Sequence, residues 1–293
     1  MWFDRRVNLG RYGIWSAGIR EGELRAAAEA AADLEELGFG TVWIPGRGDD
    51  VFERAGALLG ATSRLVIATG IVSIWNTPPE EVAAAHAWLT DAFPDRFLLG
   101  LGISHGPIVD RDDPGRYRRP LTKMREYLDA LDGRADAVPK DERIVAALHP
   151  KMLALAAERS LGTHPYLVPP AHTEQARAIL GAGPVLAPEQ SVVLETDAER
   201  ARGLAREHLE TYLGLPNYTK NWLHHGLDES DLLDGGSDRL VDSIVAWGTA
   251  EQVAERVRAQ QSAGADHVCL QLVGGDRTRL YRDEWRALAA ALQ

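Results

Sequence analysis

The chain has 293 residues, 45% hydrophobic and 26% charged, a balance that fits a fully folded globular protein and excludes a disordered or fibrous one. Forty-three acidic against 32 basic residues leave a net charge of −11, which argues against nucleic acid and anionic membranes as partners. The single cysteine, Cys269, excludes an intrachain disulfide. The opening Met1-Trp2-Phe3-Asp4-Arg5-Arg6 lacks the apolar core of a leader and no run is long enough to span a membrane, so a cytoplasmic location is expected.

In chain order, short β-rich runs alternate with runs of helical period. A strand over 9–15 precedes a helix over 21–37, strand 40–45 precedes helix 50–59, strand 65–74 precedes helix 79–93, and strand 96–102 precedes helix 118–131. Strand 143–148 then leads to helix 150–160, strand 162–168 to helix 173–180, and strand 185–194 to helix 197–213. A helix over 249–263, a strand over 265–273 and a helix over 277–292 close the chain. Several boundaries carry their own chemistry: Pro78-Pro79-Glu80-Glu81 starts a helix, Thr249-Ala250-Glu251-Gln252 reads as a capping box, and Gly38 and Gly264 sit where left-handed caps belong. Eight strands, nearly all followed by a covering helix, predict a (β/α)8 TIM barrel, where a doubly wound open sheet usually has fewer; residues 1–293 read as a single barrel domain. Residues 214–248 break the alternation and read as an insertion after strand 7, whose Tyr218, Trp222 and His224-His225 either cover the barrel mouth or pack the insertion down.

Barrel chemistry sits at the strand C-terminal ends. Strand 3 ends in Thr69-Gly70-Ile71-Val72-Ser73, where a glycine in a β-branched run suggests a bulge or a close approach to a flat ring. Strand 4 turns glycine-rich at Gly102-Ile103-Ser104-His105-Gly106, as a binding loop or as a structural turn. Strand 5 runs through Ala147-Leu148-His149 into Pro150-Lys151, a helix start whose free amides suit a phosphate or carboxylate, and strand 6 offers Gly162-Thr163-His164-Pro165-Tyr166 beside it. The basic run Arg116-Tyr117-Arg118-Arg119-Pro120-Leu121-Thr122-Lys123-Met124-Arg125 is a solvated helix face or, alternatively, a clamp for an anionic group.

Taken in order, these pieces resemble the luciferase-like monooxygenase superfamily and, within it, the coenzyme F420-dependent oxidoreductases. The resemblance rests on Gly13-Ile14-Trp15, Glu36-Leu37-Gly38-Phe39-Gly40-Thr41-Val42-Trp43-Ile44-Pro45, Ala68-Thr69-Gly70-Ile71, Asp95-Arg96-Phe97-Leu98-Leu99-Gly100-Leu101-Gly102 and Ala146-Ala147-Leu148-His149-Pro150-Lys151-Met152, which span nearly the whole chain. It implies a barrel of the bacterial luciferase-like type holding coenzyme F420, or alternatively FMN, at its mouth. Ala147, Leu148, His149, Pro150 and Lys151 would then hold the phosphate, with Gly162, His164 and Tyr166 nearby; many relatives have Gly-Pro where this chain has His149-Pro150. Thr69, Gly70, Ile71, Ser73 and Gly102 would lie against the ring, with a non-prolyl cis peptide at Gly70-Ile71.

The implied reaction is hydride transfer between a deazaflavin and a small organic substrate, with His105 and Tyr117 as the groups that act on protons. An FMN-dependent monooxygenase is the alternative, and a cofactor-binding barrel without turnover is the non-enzyme reading. Gly102-Ile103-Ser104-His105-Gly106 also matches the G-x-S-x-G elbow of serine hydrolases, with Ser104 as nucleophile, but Pro107-Ile108-Val109-Asp110-Arg111-Asp112-Asp113-Pro114 reads as loop where that elbow needs a helix. His149 and His164 stand apart in sequence and no His-x-His follows strand 1, so no metal is expected. A small-molecule substrate is the expected partner, and a homodimer is the assembly considered.

Overall fold

The computed structural model describes residues 7–48, 50–111 and 113–293. The opening hexapeptide, on which the expectation about a leader rests, lies outside the described residues, as do positions 49 and 112 of the loops after strands 2 and 4.

The strands are β1 (Tyr12–Trp15), β2 (Thr41–Ile44), β3 (Val66–Thr69), β4 (Val72–Ser73), β5 (Phe97–Gly102), β6 (Arg143–Val145), β7 (Gly162–Thr163), β8 (Val185–Leu186), β9 (Glu189–Val193), β10 (Ala246–Trp247) and β11 (Val268–Leu272). Every pairing is parallel, in the order β10-β9-β11-β1-β2-β3-β5-β6-β7-β8, with β4 paired to β5. The ring closes between β9 and β8, which are halves of one strand interrupted at Ala187-Pro188. The Ala187 N–H donates to Thr163 on one side, and the Pro188 carbonyl accepts from Cys269 on the other. β3 and β4 are likewise halves of one strand around Gly70-Ile71. With each split strand counted once and β10 set aside, the ring has the eight strands that the sequence predicts.

Period-two alternation explains the two cores. Inward-facing Trp43, Ala68, Leu98, Ile144 and Cys269 fill the barrel, while Val42, Ile44, Ile67 and Leu99 face the helix ring. At the N-terminal end of the strands, Glu35 accepts from the Ser63, Arg64 and Leu65 amides and the Ser63 hydroxyl, tying its helix to the loop that feeds β3. Burial alone would raise its pKa, yet these four donors outweigh burial and hold it at about 2.

Several boundaries move for local reasons. The helix expected over 21–37 is two, Ala17–Glu21 and Leu24–Glu36, because the Glu23 carboxylate caps the second at the Arg25 and Ala26 amides. The strand expected over 162–168 stops at Thr163, two residues before Pro165, which has no N–H to continue a ladder. The final helix begins at Arg282, and a short helix, Gly106–Val109, runs into the stretch 107–114 expected to be loop. The capping box at Thr249 and Gln252 forms as the sequence predicts.

Residues 214–248 fold into helices Pro216–His224 and Asp238–Ile244 and the strand β10, which pairs with the upper half of β9. Their apolar faces meet the helix Ala198–Leu213 in a second cluster built on Leu209, Tyr218, Trp222, Leu240 and Ile244. Among the described residues, no helix is long and apolar enough to cross a membrane.

Candidate active site

A cavity of about 1130 Å³ opens at the C-terminal ends of the strands. One wall is backbone. The Gly70-Ile71 peptide between β3 and β4 is cis, as the resemblance implies, and the Trp15 indole donates to the Gly70 carbonyl at 3.2 Å. Glycines let the neighbouring chain close on this bulge. A Cβ on Gly100 would meet the Thr69 carbonyl at 1.9 Å, one on Gly46 the Ile71 carbonyl at 2.2 Å, and one on Gly102 the Ile71 Cδ1 at 2.4 Å. The glycine-rich end of β5 therefore accommodates the bulge between β3 and β4. Gly70, Ile71, Ser73 and Gly102 all line the cavity. Thr69 does not; its hydroxyl donates to the Gly100 carbonyl and accepts from the Gly100 amide, which ties the two strands together.

The opposite wall is aromatic and polar. His105 lines the cavity, its ring 4.9 Å from that of Tyr218 and its Nδ1 3.3 Å from the Asn217 amide nitrogen. Asn217 also donates to the Tyr117 hydroxyl at 3.4 Å. Tyr117 stands behind His105, off the cavity surface. Burial lowers the His105 pKa to about 4 and raises that of Tyr117, so at neutral pH both rings are uncharged. If the Asn217 amide donates to Nδ1, the His105 proton sits on Nε2. Farther round, Tyr166, His208 and Tyr212 complete the wall, and the Tyr166 and Tyr212 hydroxyls lie 3.1 Å apart.

The ends of β6 and β7 divide. Ala147, Leu148, His149, His164 and Tyr166 line the cavity, whereas Pro150 and Lys151 point to solvent outside it. Gly162 lies within β7, where a Cβ would strike the Val185 carbonyl at 1.9 Å, so its role is strand packing. His164 stacks on Trp43 at 4.0 Å and its Nδ1 lies 2.7 Å from the Ala187 carbonyl. Burial lowers its pKa to about 4, so Nδ1 carries the only proton and Nε2, which has no partner among the described residues, is an acceptor beside Gly70. Such a ring suits a donor on a bound molecule better than a phosphate. The basic run also stays off the cavity: Arg116 donates to the Trp75 carbonyl, and Lys123 lies over the Trp75 ring.

Histidines that stand apart in sequence gather in space. The rings of His172 and His225 lie 5.3 Å apart and those of His224 and His225 5.0 Å, while His149 is near enough to lower the pKa of His225 after burial and His224 have done so. Among the described residues, no three potential ligands are placed to hold a metal ion. Ser104 takes a left-handed φ of 51° just before the short helix, so the backbone is closer to an elbow than the sequence suggests. Among the described residues, no histidine hydrogen-bonds its hydroxyl, and an elbow without a base does not activate a serine.

The luciferase-like monooxygenase profile matches residues 11–267. The chain belongs to the luciferase-like monooxygenase family. Among its curated relatives, a Mycobacterium tuberculosis protein named as a coenzyme F420-dependent oxidoreductase is 23% identical over 271 residues, covering 89% of this chain and 72% of the relative. Among solved structures, the F420-dependent tetrahydromethanopterin reductase of Methanopyrus kandleri superposes with a TM-score of 0.73 at 16% identity, over 97% of this chain and 99% of that one. The FMN-bound oxygenating constituent of 3,6-diketocamphane monooxygenase from Pseudomonas putida does so with a TM-score of 0.64 at 15% identity, over 95% of each chain. At these identities the structural likeness establishes the fold.

Some lining residues of this luciferase-like barrel escaped the sequence reading. His208 and Tyr212 face the cavity one helical turn apart, an i, i+4 aromatic pair on an otherwise charged helix, and that spacing was a readable signal. Asn217 and Gln271 carried no signal, because neither neighbouring sequence nor periodicity marks an amide that reaches the cavity only through the tertiary fold.

Proposed function

We propose that this protein is an F420-dependent oxidoreductase of a single barrel domain, transferring hydride between a deazaflavin and a small organic substrate. The observation that carries the reading is the asymmetry of the cavity. A backbone wall at Gly70-Ile71 presents a face for a flat ring, and a wall of protonatable side chains stands opposite. Two buried polar atoms on lining residues, His164 Nε2 and Gln271 Oε1, have no partner among the described residues and fit the edge of a hydrogen-bonding ring. The relative named for the same cofactor supports the choice.

Gly70, Ile71, Ser73 and Gly102 would back the ring, and Ala147, Leu148 and His149 would hold the chain beyond it. When bound, a deazaflavin supplies a carrier for two electrons and a proton delivered together as hydride. The protein's own part is position and proton handling. Asn217 fixes the rotation of His105, Tyr117 holds Asn217 from behind, and Tyr218 packs against the imidazole, so His105 Nε2–H is presented as a neutral donor.

Fluorescence titration of the purified protein with F420 and, separately, with FMN tests the assignment. Selective F420 binding is the expected result. Binding of FMN alone would move the monooxygenase reading ahead, and binding of neither would overturn the cofactor assignment. In the F420-loaded enzyme, turnover unchanged by His105→Asn would remove His105 from the chemistry.

A further inference from the structure

Behind the aromatic wall, β9 carries an acid within a wholly buried strand. Glu189 is 1% exposed, and its two oxygens have different partners. Oε2 accepts from the Leu167 amide at 3.1 Å, and Oε1 accepts from the Ser191 hydroxyl at 2.6 Å. On its far side, the Ser191 oxygen lies 3.3 Å from Nε2 of His208, and His208 lines the cavity.

The Leu167 N–H can only donate, so Oε2 is an acceptor whatever the charge on Glu189. A proton taken up by the carboxylate must therefore sit on Oε1, facing Ser191. The serine has one hydrogen. When Glu189 is ionised the hydroxyl points at Oε1, and its oxygen accepts from His208 Nε2–H. When Glu189 is protonated the hydroxyl turns outward and donates to a bare Nε2, leaving the His208 proton on Nδ1. The charge on the carboxyl and the tautomer of the cavity-facing imidazole are thus locked together through one hydroxyl.

We propose that Glu189, Ser191 and His208 form a proton wire that stores a proton on a buried carboxyl and exchanges it with the cavity. The transfer balances with one proton and no electrons. Imidazolium His208 gives its Nε2 proton to Ser191 Oγ as Ser191 gives its own to Glu189 Oε1, leaving neutral Glu189 and neutral His208 protonated on Nδ1. Burial raises the Glu189 pKa to about 7 against the two hydrogen bonds that lower it, so the store fills and empties near neutrality. The groups around the wire do not compete for its proton there. Cys269 faces Glu189 from β11, Tyr166, Tyr212 and Tyr218 are near enough for Glu189 to act on their hydroxyls, and burial raises the pKa of all four. Arg277, which also lines the cavity, lowers the His208 pKa further after burial and so favours release toward Glu189. Resting on the proposed hydride transfer, this assigns the wire to substrates such as a carbonyl or imine, which take a proton on the heteroatom as carbon takes hydride.

The wire is testable without cofactor or substrate. Nitrogen-15 NMR of the histidine rings, with His208 assigned from His208→Gln, follows its tautomer as pH is raised in cofactor-free protein. The His208 tautomer should switch in a step near pH 7 that disappears in Glu189→Gln. In Ser191→Ala, His208 should lose that step while amide exchange at Leu167 shows that Glu189 still holds its loop. A His208 titration identical in the wild type and Glu189→Gln, or a step surviving in Ser191→Ala, would overturn the wire. Because F420 and FMN binding are measured separately, failure here leaves the cofactor assignment standing, and the reverse.

Discussion

The two walls of the cavity are built on opposite principles. The β3–β5 wall is shaped by what is missing: Gly46, Gly100 and Gly102 leave no side chain between strands, so the backbone closes on the Gly70-Ile71 bulge. The wall formed by helix Ala198–Leu213 and the insertion is shaped by what is added. Tyr212, Tyr218, His208 and Asn217 are carried there on elements whose own core is separate from the barrel's. The first wall can hold a ring but has no proton to give. The second has protons but depends on remote packing for its position, and the two should fail differently.

The largest effect should come from Trp222→Ala. This fully buried side chain supports Tyr218 and donates to the Leu167 carbonyl at 3.0 Å, so its loss should cost about 3–5 kcal/mol in denaturant unfolding. On the backbone wall, Gly100→Ala drives a Cβ into the Thr69 carbonyl and should cost about 3 kcal/mol, because no rotamer change relieves a clash with backbone. Equal stability of that variant and the wild type would break the account of the glycine wall.

Away from both walls, Glu35→Gln should cost about 2 kcal/mol at pH 7, after allowance for solvent screening. The Glu35 pKa is depressed in the fold from its ordinary 4.5 to about 2, so its contribution is complete above pH 4.5 and fades as pH falls toward 2. Urea unfolding at pH 7 and at pH 3 should therefore give a smaller gap between mutant and wild type at the lower pH.

Gly102→Ala separates shape from stability. Its Cβ meets the Ile71 side chain, which can turn into the cavity, so binding of the ring should weaken by roughly tenfold, about 1.4 kcal/mol, with little change in unfolding. The smallest effect has the opposite sign. Gly203 lies within helix Ala198–Leu213 with open space around it, and Gly203→Ala should stabilise by up to about 1 kcal/mol in thermal unfolding.

The alternation of strand and helix, the capping box at Thr249 and the helix starts at Pro79 and Pro150 were legible because each is a local property of neighbouring residues. The bulge at Gly70-Ile71 was legible too, since a glycine inside a β-branched run marks it. The split of β8 from β9 was harder to see: Pro188 removes a donor, but only the partners on both sides reveal a strand that still closes the ring.

The sequence by itself determined the barrel and the end at which its cavity opens, because hydrophobic period and turn chemistry act over a few residues, and the resemblance of its ordered segments pointed to the family that the profile match then showed. Only the tertiary structure decided which polar groups meet. It put Pro150 and Lys151 outside the cavity, spent the Thr69 hydroxyl on a neighbouring strand, and brought Asn217 to His105 across more than a hundred residues of chain. It also joined Glu189 to His208 through one serine. Such meetings depend on directional contacts between distant segments, and burial decides which of those groups stay neutral, so neither spacing nor composition can state them in advance.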